Sequence, residues 1–280
     1  MDIDGKQVAE TIRKKLKEQI AKEKLSLSLA FVLVGEDHAS QTYVRMKEKA
    51  CKEVGINSLR FDLPETVSEK DLLKLIHNLN NDKTVTSILV QMPLPKHINA
   101  SHILLAIDPK KDVDGFHPMN VGKMVTGDPQ AIIPCTPLGV LKLLESYKVD
   151  TDGKSVVVLG RSNIVGRPLA NLLSQKRPQG NATVTLAHSG TKNLHALCAE
   201  ADILIAAIGK PLFVTKDMVK PGAVVIDVGI NRLEDRLVGD VDYASVAPIA
   251  KLITPVPGGV GPMTIAMLLY NTIMLSRLRV

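Results

Sequence analysis

Short runs of branched apolar residues recur along this 280-residue chain, each bounded by turn residues and separated from the next by a longer stretch with polar positions. Residues 28–34, 85–91, 155–159, 183–186, 202–208 and 223–228 form the clearest runs, and 57–61 forms a weaker one. Runs of four to eight apolar residues suit strands buried on both faces, the condition of a parallel sheet. Helices are predicted between them. Residues 5–24 carry Val8, Ile12, Leu16 and Ile20 at a spacing of four, which puts one face in a core. Further helices are read at 40–54, with Gly55 just past the end, and at 68–80, 138–147, 169–173 and 262–278. The alternation predicts an α/β fold with mainly parallel sheets, and the length predicts about two domains. Between 92 and 137 the chain is rich in Pro, Gly, Asp and His, and no regular element is read there. So long a turn-rich stretch inside a compact protein is read as functional.

Composition narrows the function. Hydrophobic residues make up 45% and charged residues 23%, which excludes a disordered chain. No apolar run reaches the ~18 residues that cross a bilayer, so no membrane role is expected. The acidic start, Met1 to Gly5, lacks the basic and apolar regions of a secretory leader. Cys51, Cys135 and Cys198 have neither metal-ligand nor redox spacing, so the expected compartment is a reducing cytoplasm and no metal site is read. The net charge of +6 suits a small anionic substrate or cofactor. Four Tyr, four Phe and no Trp form no stacking patch with basic residues, so no nucleic-acid partner is expected.

A nucleotide signal follows the third strong run. Val156 to Leu159 leads into GRSNIVG, Gly160 to Gly166, and then a helix. Glycine after a strand lets the backbone approach a pyrophosphate seated on a helix N-terminus. The match to G-x-G-x-x-G is imperfect: Ser162 replaces the second glycine and Gly166 falls one position late. The next strand ends in His188, Ser189, Gly190, Thr191 and Lys192, without the carboxylate that holds the ribose of NAD. Hydroxyls and cations there, with Arg161 in the first loop, favour the 2′-phosphate of NADP. A simple polar turn accounts equally for Thr191 and Lys192.

A second signal lies on the helix from about Ser40. At ~100° per residue, Tyr43, Met46, Lys47, Ala50, Cys51 and Val54 share one side, so Lys47 is a lone charge within an apolar face. Such a lysine either serves as an acid or base, or covers the core with its stem while its head stays in water. Tyr43 stands one turn earlier, within reach of the same site. Gln91 ends an apolar strand, where parallel sheets gather ligands, although a capping role would also place it there. Asp112 and Asp114 lack further ligands of metal spacing; a carboxylate accepting hydrogen bonds from a heterocycle suits Asp114 better. The Gly- and Pro-rich stretch 254–264 is read as a rigid, ligand-clamping loop.

These segments together resemble one family along almost the whole chain. YVRMK (43–47), VQMPLP (90–95), KDVDG (111–115), PCTP (134–137), GRSNIVG (160–166), DVGIN (227–231) and PVPGGVGP (255–262) match, in order, the bifunctional methylenetetrahydrofolate dehydrogenase/cyclohydrolase family. The resemblance implies two α/β domains with the active site in the cleft. A folate-binding catalytic domain would span 1–142 plus 263–280, and a Rossmann-type NADP domain would span 143–262. It implies a homodimer acting on tetrahydrofolate derivatives. It makes Lys47 the central catalytic residue, with Tyr43 along the p-aminobenzoyl group, Gln91 tuning Lys47, and Asp114 on the pterin edge. Ser40, Pro255, Gly258, Gly259 and Pro262 would border the substrate. Gly160, Arg161, Ser162, Val165, Gly166, His188, Ser189 and Ile230 would contact NADP. One departure is a small insertion at 175–181, QKRPQGN, which leaves the catalytic residues untouched and whose effect on the adenosine end the sequence leaves open. Shikimate-type and amino-acid dehydrogenases, a monofunctional dehydrogenase of the same family, and a non-catalytic NADP sensor are the competing classes. The Gln91 and Asp114 segments and the Pro-Gly loop favour folate.

Overall fold

The computed structural model describes residues 1–234 and 236–278. Helix α1 (Gly5–Glu23) leads into β1 (Ser28–Val34), α2 (His38–Val54), β2 (Asn57–Leu63), α3 (Glu69–Asn81) and β3 (Ser87–Val90). Two short helices, α4 (Ala100–Ala106) and α5 (Pro118–Thr126), precede α6 (Cys135–Ser146). Then come β4 (Ser155–Leu159), α7 (Gly166–Ser174), β5 (Thr183–Ala187), α8 (Leu194–Ala199), β6 (Ile203–Ala206) and β7 (Val224–Asp227). An antiparallel pair, β8 (Asn231–Leu233) and β9 (Arg236–Val238), is followed by α9 (Tyr243–Val246), β10 (Leu252–Ile253) and the long α10 (Val260–Arg277). The elements divide into two units: residues 11–133 with the chain from Ile265 onward, and residues 1–10 with 134–264. This is the two-domain α/β fold expected from the alternation of elements.

In the first of these units β1 lies between β2 and β3, all parallel, so every residue of β1 is buried. Leu72, Ile76 and Leu79 of α3, at helical spacing, cover one face of this sheet with Ala30, Val32, Ile88 and Val90. Ser68 caps α3, accepting a hydrogen bond from the Asp71 amide, and Gly55 closes α2 in the left-handed conformation at φ +90°. The stretch 92–137, where no element was read, contains α4, α5 and the start of α6. The residues that suggested turns there are caps. Asn99 accepts from the Ser101 amide, His117 accepts from the Met119 amide, Pro118 begins α5, and Gly127 ends it. Helices of seven and nine residues leave little periodicity between such caps. From α10, Asn271 donates to the carbonyls of Val113 and Ile133 at 2.9 Å each, which anchors the C-terminal helix in this unit.

The other unit is a five-stranded parallel sheet in the order β10-β7-β6-β4-β5. The chain leaves β4 first to one side, for β5, and then to the other, for β6. The carboxyl end of β4 is therefore the switch point where such sheets bind ligands. The boundary expected between 142 and 143 falls inside α6, which lies wholly in this unit. Gly139 explains the packing, because a Cβ there would stand 2.9 Å from the Met263 Cβ. The first residues also belong here: Ile3 donates to the Ile253 carbonyl at 2.8 Å, extending the sheet beyond β10.

Candidate active site

Helix α2 begins at Asp37, whose carboxylate accepts from the Ser40 amide at 2.7 Å. Bonds from the Ser40 amide and hydroxyl hold the Asp37 carboxyl below its usual range. Packing of α2 on β1 and β2 buries Val44, Ala50, Cys51 and Val54, together with Ser40. The apolar face is narrower than the helical wheel predicts: Tyr43 and Met46 are 39% and 50% exposed. Lys47 is accordingly half-buried at the rim of that face and not in its middle. The sheet covers the Val44–Cys51 line and leaves the Tyr43–Met46 side exposed.

Gln91 immediately follows β3, and its amide donates to Val32 of the central strand at 2.9 Å. The side chain then bridges two groups. Nε2 donates to the Met92 carbonyl at 2.7 Å, and Oε1 accepts from Lys47 Nζ at 3.0 Å. The first bond fixes the second: with the NH₂ on a carbonyl, the oxygen must face the ammonium.

The KDVDG segment is folded by its own charged residues. Lys111 is buried at 6% exposure, and its Nζ caps the end of α3, donating to Leu79 and Asp82 carbonyls at 2.6 and 2.7 Å. Its backbone carbonyl accepts from the Ile88 amide at 2.8 Å, which lays the segment along β3. Asp112 is buried too. Its Oδ1 accepts from the Gly115 amide at 3.1 Å, and its Oδ2 accepts from the His117 amide and Asn120 Nδ2 at 2.8 and 2.9 Å. Burial pushes its carboxyl up, against the pull of those donors. The resulting turn presents Asp114 beside Lys47. Burial pushes the Asp114 carboxyl up to about 6, with the Lys47 charge lowering it and the Asp112 charge raising it. Lys47, Gln91 and Asp114 thus meet at the carboxyl end of the β2-β1-β3 sheet, with Tyr43 one turn before Lys47 on α2 and Ser40 one turn before Tyr43. Burial pushes the Cys51 and Cys198 thiols up to about 12 and 11, so neither is a thiolate nucleophile at neutral pH.

In the other unit, the loop after β4 is held by glycine. Gly160 has φ +126°, and a Cβ there would lie 2.1 Å from the Ala207 carbonyl oxygen; one on Gly166 would lie 1.9 Å from the Gly160 oxygen. Ser162 Oγ accepts from the Val165 and Gly166 amides at 3.1 and 3.3 Å, so this hydroxyl holds the turn that leads into α7. Arg161 is exposed, and Val165 precedes Gly166 at the helix start. At the end of β5, His188 Nδ1 accepts from the Gly190 amide at 3.1 Å and Thr191 Oγ1 accepts from the His188 amide at 2.9 Å, leaving Ser189 exposed at the tip. Close backbone approach, a hydroxyl-held turn into a helix and a turn with hydroxyls and no carboxylate fit a phosphorylated dinucleotide. Ile230, 46% exposed, stands just after β7, and a Cβ on Gly261 would lie 3.6 Å from its Cδ1.

Hydrogen bonds and close backbone contacts hold the 254–262 loop. Thr254 Oγ1 accepts from the Asp227 amide at 2.7 Å, and the Gly258 carbonyl accepts from Lys6 at 3.0 Å. Gly258 has φ +107°, and a Cβ on Gly259 would lie 2.6 Å from the Pro255 oxygen. Pro262 lies in the first turn of α10. The 175–181 insertion lies at the other end of β5 from the Ser189 turn. It enters β5 at its amino end, where the Asn181 carbonyl accepts from Gly153 at 2.9 Å, far along the strand from Ser189. Sequence reasoning gave no role to Lys111, Asn120, Asn271 or Asp240. Their common signal, a polar side chain with no solvent, exists only after folding.

Comparison with known proteins bears on both units. Residues 3–114 match the family model for the tetrahydrofolate dehydrogenase/cyclohydrolase catalytic domain, and residues 134–279 match its NAD(P)-binding domain. The chain belongs to the tetrahydrofolate dehydrogenase/cyclohydrolase family. Among its relatives, the bifunctional protein FolD of Campylobacter concisus is 56% identical over 282 residues, covering 99% of this chain and 98% of that protein. The crystal structure of the bifunctional FolD enzyme from Campylobacter jejuni superposes with a TM-score of 0.95 at 49% identity, covering 100% of this chain and 99% of that one. The Trypanosoma brucei dehydrogenase-cyclohydrolase, solved with NADP cofactor and inhibitor, gives 0.93 at 39% identity, covering 100% and 98%.

Proposed function

We propose that this chain oxidises 5,10-methylenetetrahydrofolate to the 5,10-methenyl cation with NADP⁺, and then hydrolyses that cation to 10-formyltetrahydrofolate. The observation that carries the reading is the Lys47–Gln91 hydrogen bond of 3.0 Å beside Asp114. On this reading the unit around β1 takes the folate and the unit around β4 takes NADP. Gly160, Arg161, Ser162, Val165, Gly166, His188, Ser189 and Ile230 would hold NADP⁺, which would supply the hydride acceptor. Loss of hydride from the methylene carbon leaves a cation that the adjacent nitrogens stabilise, so the protein mainly aligns the donor carbon.

Hydrolysis needs more from the side chains. Water adds to the methenyl carbon and releases a proton, and the bond from that carbon to N5 breaks as N5 takes a proton up. Lys47 serves both transfers, as base toward the water and as donor toward N5. Gln91 Oε1 holds Nζ in place for them. Asp114, ionised above about pH 6, accepts from the amide and amino groups of the pterin edge. Tyr43 lies along the aromatic ring of the substrate. Ser40, one turn before Tyr43 on α2, borders the same substrate. The enzyme works as a cytoplasmic homodimer and feeds one-carbon units to purine and amino-acid biosynthesis, an assignment supported by the family resemblance.

An absorbance assay with methylenetetrahydrofolate and either NADP⁺ or NAD⁺ tests this. NADPH formation with methenyl consumption above the enzyme-free rate is expected. Methenyl consumption at the enzyme-free rate would reduce the protein to a dehydrogenase, and no reduction of either cofactor would overturn the reading.

A further inference from the structure

Two buried carboxylates at the carboxyl end of the β7-β6-β4 strands have no part in the chemistry above. Asp227 ends β7 and Asp240 follows β9; they are 3% and 0% exposed. Asp227 folds the chain locally: Oδ1 accepts from the Gly229 and Asp240 amides at 3.0 and 2.9 Å, and Oδ2 accepts from Val241 at 2.9 Å. Asp240 reaches outward from that knot. Its Oδ2 accepts from the Ile208 and Gly209 amides at 2.7 and 2.9 Å, and its Oδ1 accepts from Asn231 Nδ2 at 2.9 Å. One carboxylate therefore ties the loop after β6 to the segment after β7. Packing holds the knot shut. A Cβ on Gly229 would fall 2.3 Å from the Asp240 Cγ, and one on Gly239 would fall 1.8 Å from Asp227 Oδ2.

The position of these loops gives the tie a meaning. The β6 loop is also packed against the nucleotide loop, because the Ala207 oxygen is what a Gly160 Cβ would strike. In a doubly wound sheet the pyrophosphate lies over the first strand's loop, and the adenosine lies toward the second strand. Here those are β4 and β5, so the other half of a dinucleotide must lie over the loops of β6 and β7. Those are the two loops that Asp240 joins, and Ile230 neighbours Asn231 on one of them.

Resting on the NADP reading, we propose that Asp240 is a positioning residue for the nicotinamide half of the cofactor. It ties the Ile208–Gly209 backbone to the Asn231 side chain, and so to the segment that carries Ile230, without touching the reacting atoms. The structural alternative, a carboxylate that merely stabilises the unit, makes a different prediction, because it would affect both halves of the cofactor site alike.

The test compares NADPH with 2′,5′-ADP, which carries the phosphorylated adenosine and no nicotinamide, by calorimetric titration of the wild type, Asp240→Ala, Asp240→Asn and Asn231→Ala. Asp240→Ala is expected to weaken NADPH about tenfold while 2′,5′-ADP stays within about twofold. Asp240→Asn is expected to restore most of the NADPH affinity, since its oxygen can still accept from Ile208 and Gly209 while Asn231 turns to accept from its NH₂. Equal weakening of both ligands, or of neither, would overturn the proposal. If Asp240→Ala does not fold, Asn231→Ala decides: about threefold weaker NADPH with unchanged 2′,5′-ADP supports the tie, and unchanged NADPH sinks it. A wild type that binds neither ligand would overturn the NADP reading itself, a result distinct from a wild type that binds both beside variants that do the same.

Discussion

Lys47 Nζ and Gln91 Oε1 are 3.0 Å apart, although 44 residues separate them and they stand on different element types. The lysine comes from the middle of α2 and the glutamine from the end of β3. The contact arises because β3 pairs with β1 and α2 packs on β1, so both side chains reach the same sheet end. The half-buried ammonium thus has an amide oxygen as its hydrogen-bond partner and the Asp114 carboxyl as a charge neighbour.

Removing the ammonium should therefore stop hydrolysis and leave the fold. Lys47→Met keeps the stem and deletes the charge. Methenyl consumption is expected to fall by at least about 100-fold, toward the enzyme-free rate. Circular dichroism and the melting temperature should stay near wild type. A folded variant that still hydrolyses at more than a tenth of the wild-type rate would refute the role.

The Asp114 carboxyl, pushed up to about 6 by burial, gives a pH dependence. Above that pH it is ionised and accepts hydrogen bonds; below it the added proton removes an acceptor. Folic acid shares the pterin edge and is a stable probe. Its affinity should fall as pH drops through about 6, approaching tenfold per pH unit below that point. Asp114→Asn should flatten the profile between pH 5 and 7. An unchanged profile in the variant would assign the titration to another group.

Asp112 should matter through Asp114. Asp112→Ala strips the buried Gly115 amide and the part-buried His117 amide of their acceptor and leaves Asn120 Nδ2 with the Pro109 carbonyl alone. Each such loss costs about 1–3 kcal/mol. Calorimetry should show a melting temperature at least about 5 °C lower. The KM for the folate should rise, because the turn that presents Asp114 loses its brace. A stable variant with wild-type KM would argue against this account.

Gly166→Ala tests the nucleotide loop. The new Cβ would need space 1.9 Å from the Gly160 carbonyl oxygen, which is backbone and cannot swing aside. NADPH affinity should drop by at least about tenfold, with a loss of stability. Fluorescence titration of NADPH with the purified variant is the check.

The insertion and the Ser189 turn should separate cleanly. Lys176→Ala with Arg177→Ala alters the amino-end loop of β5 and should leave the NADP⁺ to NAD⁺ preference within about twofold. Ser189→Ala with Arg161→Ala alters the carboxyl-end turn and should cut that preference by about tenfold or more, the worth of a charge-assisted hydrogen bond. Ratios of kcat/KM for the two cofactors give the answer. A large effect of the first pair would return the adenosine end to the insertion.

Much of this protein was legible in its residues because short-range physics sets it. The runs that became β1 and β4 were readable to the residue, since continuous branched apolar sequence has few uses other than a buried strand. Gly55 and Ser68 marked helix ends because caps act within one turn. Tyr43 and Lys47 were placed on one helix by spacing alone. The short helices α4 and α5 escaped, because capping residues and turn residues are the same amino acids.

Tertiary structure decided everything that depends on which strand lies beside which. Gln91 meets Lys47, and Lys111 and Asp112 brace the Asp114 turn, only because the 111–113 segment lies along β3. Sheet order sent the 175–181 insertion to the amino end of β5, away from Ser189. Pairing of Asp2 with Ile253 drew the first residues into the nucleotide-binding unit, and a bare Cα at Gly139 lets α6 pack there as well. Asp240, an ordinary acidic residue in the sequence, became the junction of two loops. The physical reason is range: periodicity and capping act over three or four residues, whereas the burial that makes these polar groups bind one another is created only when distant segments exclude water together.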